Sequence, residues 1–277
     1  MAELGRVSRS SFYRFDPDGR PGPDRDMDLR DAIQRIALEW PSYGRPRITA
    51  ELRRRGWQVN PKRVYRLLCE DNLLCVRKRR FVVTTDSKHG RKVYPNLARD
   101  LVLMRVDQLC RADITYIRLR EEFVYLAVVL DSFSRRVIGW ALDRTMEEEL
   151  TLTALRMALS RRSAGPGLVH HSNRGSQYAS LAYTDLLTSC GVAISMSRKG
   201  NPWDNAACES FMKTLKYEEV LRNEYRDLAE ARASIRQFLE KVSNRKRLHS
   251  ALGYVPPAEF EKQLAAQAKE ASRQLVA

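Results

Sequence analysis

Acidic residues are scarce relative to basic ones in this 277-residue chain: 34 Asp and Glu stand against 49 Lys and Arg, a formal net charge of +15 and a pI near 9.9. That imbalance points to a polyanionic partner, with nucleic acid the first expectation and a solvated basic surface the bland alternative. Cysteine is sparse too. Cys69, Cys75, Cys110, Cys190 and Cys208 show no paired metal-ligand spacing, and an odd, scattered set is expected of reduced thiols in a cytosol, not of a disulfide framework. No N-terminal signal-peptide pattern is visible. The longest apolar run, around FVYLAVVL, falls far short of the roughly 20 residues that cross a bilayer. There is no internal repeat and no low-complexity segment.

The positive charge is unevenly spread. Between Arg45 and Lys92 there are 15 Lys or Arg against 4 Asp or Glu, a surplus of +11, as a DNA-contacting module requires. Residues 1–27 are Ser/Arg-rich and then Pro/Gly/Asp-rich, and read as a lead-in and linker with SRSSFYR as a fragment of helix. Residues 28–76 read as a small helical domain. DLRDAIQRIALEW places Leu29, Ile33, Ile36 and Trp40 on one stripe. RPRITAELRRRGW gives a second helix ended by Gly56. VNPKRVYRLLCEDNLL gives a third, with Asn60 as N-cap and Pro61 in the first turn. Val64, Leu67 and Leu68 would pack, leaving Lys62, Arg63 and Arg66 outward. Helix, Gly-containing turn, basic helix is a helix-turn-helix pattern that binds DNA; a plain helical hairpin is the alternative. Residues 77–106 form a basic connector.

From residue 107 the pattern changes. ADITYIRL, EFVYLAVVLD and RRVIGWALD are β-branched and aromatic runs with short links, an antiparallel meander. MEEELTLTALRMALSRR is a helix with an acidic start and basic end. GLVHHS is a short strand, SQYASLAYTDLLTSCG a helix ended by Gly191, VAISMS a further strand. Helices follow over WDNAACESFMKTLKYEEV and DLAEARASIRQFLEKVSNRKRL. The expectation is an α/β domain with a mixed five-stranded sheet flanked by helices over 107–225, and a C-terminal helical extension over 226–277. Asp113 would open the first strand, Asn173 would follow the fourth, and Glu209 lies on a late helix; 59 and 35 residues separate them in turn.

In these motifs the chain resembles the OrfB transposases of bacterial insertion sequences, the IS-three family. The resemblance spans nearly the whole chain and is carried by DITYI, YLAVVLDSFSRRVIGWAL, HHSNRGSQYAS, SMSRKGNPWDNAACESFMKTLK and NRKRLHSALGYVPPAEF. It implies a ribonuclease H-like core shared with retroviral integrases, preceded by a helix-turn-helix. It implies a DDE-type transposase that binds element ends as double-stranded DNA, cleaves them and joins a 3′-hydroxyl to target DNA. It further implies homo-oligomers on DNA, fusion to or action with a DNA-binding protein of an upstream frame, no membrane, and a cytoplasmic, nucleoid-associated location. In such proteins two Asp and one Glu bind a pair of Mg2+ or Mn2+ ions. The matching positions here are Asp113, Asn173 and Glu209, so one carboxylate is an amide. Two dications on two carboxylates are poorly neutralised, and an impaired copy is the expectation; Asp131 as a replacement acid is the alternative. A catalytically dead DNA-binding pseudo-transposase is the rival function, and a ribonuclease H-like nuclease outside transposition a weaker one. Two more departures are Cys110 and Ser243, where the family usually has Trp and Tyr.

Other residues carry two readings each. His170 and His171 would point to opposite faces, one inward and one outward, as packing or phosphate contacts rather than metal ligands. Gly175 is expected at positive φ, beside Arg174 as a phosphate contact. Trp203, Asp204 and Asn205 are either a helix cap or a DNA-end contact. Lys213 and Lys216 lie on roughly the Glu209 face and would meet phosphates or solvent. Arg245, Lys246, Arg247 and His249 would do the same.

Overall fold

The computed structural model describes residues 26–74, 90–162, 164–198 and 201–276. The lead-in through residue 25, residues 75–76 of the expected helical domain and residues 77–89 of the expected connector lie outside them. The chain divides after Leu74 into two compact units.

The first unit holds three helices, α1 (Met27–Glu39), α2 (Arg45–Arg54) and α3 (Pro61–Glu70). Leu29, Ile33 and Ile36 of α1 are buried against Ile48 and Leu52 of α2 and Val64, Leu67 and Leu68 of α3. Trp40 falls just past the end of α1 and stacks on Tyr43, with ring centroids 5.0 Å apart. It therefore closes the turn instead of extending the stripe. Gly56 takes φ +89° after α2, and the Asn60 side chain accepts from the Lys62 amide at 2.8 Å. Asp26 ties the start of α1 to α3, accepting from the guanidinium groups of both Arg63 and Arg66.

The second unit is built on β1 (Leu109–Arg118), β2 (Phe123–Asp131), β3 (Val137–Asp143), β4 (Val169–Ser172) and β5 (Ala193–Met196). Their spatial order is β3-β2-β1-β4-β5. The first three strands pair antiparallel, and β4 and β5 run parallel to β1. Helices α4 (Glu148–Arg161) and α5 (Leu181–Ser189) cover one face, where Ala112, Val129 and Ile138 meet Leu155 and Tyr183. Helices α6 (Ala206–Glu218) and α7 (Leu228–Gln237) cover the other, where Ile117, Leu126 and Trp140 meet Phe211, Leu215 and Ile235. α7 runs on into a π-helical turn, Phe238–Ser243, and the chain continues to α8 (Pro257–Val276). Gly139 of β3 lets α4 lie close: a Cβ there would stand 2.2 Å from the Ala154 carbonyl oxygen.

Because both faces of the sheet are covered, neither histidine of β4 points to solvent. His170 and His171 are both buried, which overturns the inward-and-outward expectation and removes them as phosphate contacts. His171 sits between the Ser195 and Ser197 hydroxyls at 2.8 and 3.0 Å, and His170 meets the Tyr183 hydroxyl at 2.9 Å. Burial holds His170 down to about 3 and His171 to about 4, so both are neutral. From residue 90 the expected connector packs on this unit: the Leu97 amide donates to Ser195 Oγ, and the Met196 amide to the Pro95 carbonyl. Cys110 and Ser243 are both buried, and Ser243 Oγ has no hydrogen-bond partner among the described residues.

Candidate active site

Strand register builds the site. β1 and β4 pair with a constant offset of sixty residues: Leu109 with Val169, Cys110 with His170, Arg111 with His171. Two positions further on, the same offset sets Asn173 beside Asp113, just where β4 ends. Asp113 thus lies inside β1, at its fifth residue, and does not open it as expected; the strand starts early because Leu109 to Arg111 pair with β4. Asn205, immediately before α6, donates through Nδ2 to the Ala112 carbonyl at 3.2 Å. This bond fastens the start of α6 against β1 one residue from Asp113, and the first turn of α6 carries Glu209.

Asp113 and Glu209 share one electrostatic environment. Burial pushes the Asp113 carboxyl up to about 7, helped by the Glu209 charge and opposed by the Ile114 amide, Asn173 and Lys216. Burial also raises Glu209, against the pull of Lys213. Two carboxyls held this way are poised for a cation that would relieve both desolvation and mutual repulsion.

Asn173 is a turn residue and a site residue at once. Its Oδ1 accepts from the Gly175 amide at 2.9 Å, an Asx turn that ends β4. This fixes the side-chain orientation, since only oxygen can face that N–H. Nδ2 consequently faces Asp113 and donates to its Oδ1 at 3.1 Å. Gly175 is needed for space and not for positive φ, contrary to expectation: its φ is not in the left-handed region, but an added Cβ would lie 2.9 Å from Asn173 Oδ1.

With two carboxylates, Asp113 and Glu209, and a neutral amide at Asn173, the donor chemistry suits one hard cation better than a pair. The only oxygen of the Asn173 side chain is engaged by the Gly175 amide, and its N–H is spent on Asp113 Oδ1. Among the described residues no three Asp, Glu, His or Cys side chains converge as a metal-binding group. Asp131 is no substitute. It is fully buried and spent on the β2–β3 turn, accepting from the Phe133 and Ser134 amides, the Ser134 hydroxyl and the Asp107 amide.

The remaining candidates separate by burial. Lys213 is exposed, and Lys216 is half-buried with its ammonium 4.1 Å from the Tyr116 ring centroid. Arg174 donates to the Ser197 carbonyl at 2.7 Å and so braces the turn after β4. Arg245 and Lys246 are exposed. Arg247 is not available to DNA, correcting the expectation: it is buried in a two-bond ion pair with Glu218 at 2.7 and 2.8 Å. In the first unit Lys62 is exposed, whereas Arg63 and Arg66 give hydrogen bonds to Asp26. Asp204 caps nothing; it holds the Arg198 amide and guanidinium, and burial is outweighed by that bond, leaving its pKa at about 2. The cap of the short turn is Asn201, which accepts from the Trp203 amide, and Trp203 itself is 82% exposed. The structural role of Asn205 is not legible in the sequence, because its partner is a carbonyl 93 residues away.

A mixed sheet in the order 3-2-1-4-5, with acidic side chains on its central strand and on a covering helix, defines a ribonuclease H-like integrase core. Residues 104–202 and 190–257 match the family described as integrase core domain, and residues 24–81 that described as HTH-like domain. The chain is 38% identical over 267 residues to the transposase InsF for insertion sequence IS3A of Escherichia coli (strain K12), covering 94% of this chain and 92% of that protein. It is also 38% identical over 264 residues to the insertion element IS600 uncharacterized 31 kDa protein of Shigella sonnei, covering 94% and 97%. Among solved structures, the catalytic core domain of BIV integrase matches at 16% identity and a TM-score of 0.43, covering 58% of this chain and 99% of that one. This chain belongs to the IS3 family of insertion-sequence transposases.

Proposed function

We propose that this chain binds element-end DNA through its helix-turn-helix and core surface, and that its metal-dependent strand cleavage and strand transfer are impaired at Asn173. The observation that carries this reading is the hydrogen bond from the Asn173 amide to Asp113. The Asn173 N–H satisfies a lone pair of the Asp113 carboxylate that a cation would otherwise draw on. Asp113 and Glu209 would hold one Mg2+ or Mn2+. Such an ion supplies Lewis-acid stabilisation of a phosphodiester oxygen and acidification of an attacking hydroxyl. The chain's own residues position that chemistry: Asn205 sets the height of α6 on β1, and Gly175 leaves room for the turn. Lys213, Arg245 and Lys246 of the core and Lys62 of the helical unit are exposed cations suited to phosphates; Lys216, one turn beyond Lys213 on α6, is half-buried. With the chemistry weakened, DNA binding persists, and the chain acts as an occupant of element ends.

The test is Mn2+- or Mg2+-dependent cleavage of a duplex carrying the inverted repeats that flank the gene, comparing wild type with Asn173→Asp. Losing a single transition-state interaction costs roughly 10²–10³-fold in rate, so the variant is expected to cleave at least a hundredfold faster at equal DNA affinity. Equal rates in the two proteins would end the proposal.

A further inference from the structure

Towards the end of β1, the sheet leaves an aromatic surface that is exposed among the described residues. Tyr116 and Phe123 are 37% and 49% exposed. They face one another across the β1–β2 hairpin edge to face, with ring centroids 5.8 Å apart and planes at 77°. Both ring faces are attended by cations on flexible stems. The Lys216 ammonium lies 4.1 Å from the Tyr116 centroid, and the Arg118 guanidinium 5.7 Å from that of Phe123. Exposed rings cost hydration free energy and contribute nothing to the core from this position. Isolated apolar residues on a surface are ordinary, but a paired ring platform with cations over it is the arrangement that single-stranded nucleic acid recognises: bases stack on the rings, and the cations meet the phosphates between them.

Position supports the same occupant. Tyr116 is three residues beyond Asp113 on β1, roughly 10 Å at the rise of a strand, and alternation turns the two side chains to opposite faces of the sheet; Lys216 of α6 links them, its ammonium against the Tyr116 ring and close enough to Asp113 to feel its charge. The acids of the hairpin are Glu121 and Glu122, and Glu122 is paired with Arg144. Arg118, Arg120, Lys213 and Lys216 therefore leave the surface positive.

We propose that Tyr116 and Phe123 form a stacking platform for the bases of an unpaired DNA strand, next to the site where the duplex would be opened or joined. This rests on the DNA-binding reading above and adds to it a preference for unstacked nucleotides. Lys216 and Arg118 swing from the rings to the flanking phosphates when the strand arrives.

The experiment uses the full chain, without divalent metal, and measures fluorescence anisotropy with a labelled oligo-dT strand and with a labelled duplex of equal length. The double variant Tyr116→Leu/Phe123→Leu keeps apolar, branched side chains in the strands and removes the ring faces. It is expected to bind the single strand about tenfold or more weakly, while duplex affinity stays within about twofold. Tyr116→Phe, which keeps the ring, is expected to bind the single strand like wild type. Sedimentation of both proteins accompanies the titration. Unchanged single-strand affinity, an equal loss for both DNAs, or a change of oligomeric state with no selective loss would overturn the platform; the last outcome would make the patch an interface between copies. Wild type that binds neither DNA would instead overturn the DNA-binding reading, so the two failures are distinguishable.

Discussion

Replacing the Asn173 amide by a carboxylate should make the stability of the fold depend more strongly on a divalent metal. In Asn173→Asp the oxygen facing Gly175 keeps its hydrogen bond, and the other oxygen takes the place of Nδ2, about 3.1 Å from Asp113 Oδ1. A charge-assisted hydrogen bond, about 1.5–3 kcal/mol, becomes a like-charge contact. Two unit charges about 4 Å apart at an effective dielectric near 20 repel by roughly 4 kcal/mol. Proton uptake relieves part of that, so a net loss of about 2–5 kcal/mol is expected in chelator. At roughly 2–4 °C per kcal/mol for a chain of this size, the variant should melt on the order of 5–15 °C below wild type.

A divalent ion reverses the sign. Ligand at a hundred times its dissociation constant stabilises a native state by about 2.7 kcal/mol, or roughly 5–10 °C. Wild type offers two carboxylates instead of three and must weaken the Asn173 bond to Asp113, so it should gain only about 2 °C or less. The assay is thermal unfolding followed by circular dichroism in EDTA and in millimolar Mg2+, Mn2+ or Ca2+; Ca2+ separates binding from turnover. Wild type rising as far as the variant would show that the amide yields readily to the metal, and a variant no weaker than wild type in EDTA would show that the two side chains do not oppose each other as described.

Arg247→Ala should cost about 3–5 kcal/mol in urea unfolding, because it leaves Glu218 buried and unpaired, while folded variant should keep its duplex affinity; a selective loss of binding would restore Arg247 as a DNA contact. Gly139→Ala should destabilise by at least the 1–3 kcal/mol typical of overpacking, since the new methyl meets the α4 backbone, and thermal unfolding reads it directly. His170 is held neutral to about pH 3 by burial, with the neighbouring His171 acting in the same direction. An unfolded chain takes up that proton below about pH 6.5, so stability is lost as pH falls from 6.5 towards 3. At pH 5 the loss due to His170 is about 2 kcal/mol. His170→Phe should remove it, so the stability difference between wild type and variant, measured in urea at pH 7 and pH 5, should shift by that amount. Asp113, raised by burial, titrates in the opposite sense and cancels in the difference; a difference independent of pH would refute the assignment.

Periodicity reached most of the fold because most elements carry their own signal. Alternating β-branched runs gave the meander, and Asn60 with Pro61 gave the start of α3. What escaped was set by distant partners. Trp40 fits a helical stripe by spacing, yet Tyr43 draws it into a turn. Arg247 reads as one more surface cation in NRKRLHS until Glu218 is found beside it, 29 residues back. His170 and His171 look half-exposed by alternation, because alternation tells the two faces of a strand apart but not whether each face is covered.

The same limit governs Asn173. The chain records that an amide stands among two carboxylates, and the missing charge follows at once. Orientation does not follow, since an amide presents a donor and an acceptor with nearly equal shape. The choice is made by the Gly175 amide two residues on, which claims the oxygen and so aims the N–H at Asp113. Loss of charge alone would leave a weaker ligand in place. On the reading proposed above, loss of charge with this orientation also gives Asp113 a hydrogen-bond donor, which stabilises the fold without metal. Gly175→Pro, which deletes that N–H and sets ring carbons against Asn173 Oδ1, should release the choice. If orientation matters beyond charge, the variant's Asn173 oxygen becomes free to turn inward, and Mn2+ binding measured by calorimetry should strengthen by about tenfold, one hydrogen bond's worth. Unchanged affinity in a variant that still folds would mean that the absent charge is the whole of the defect.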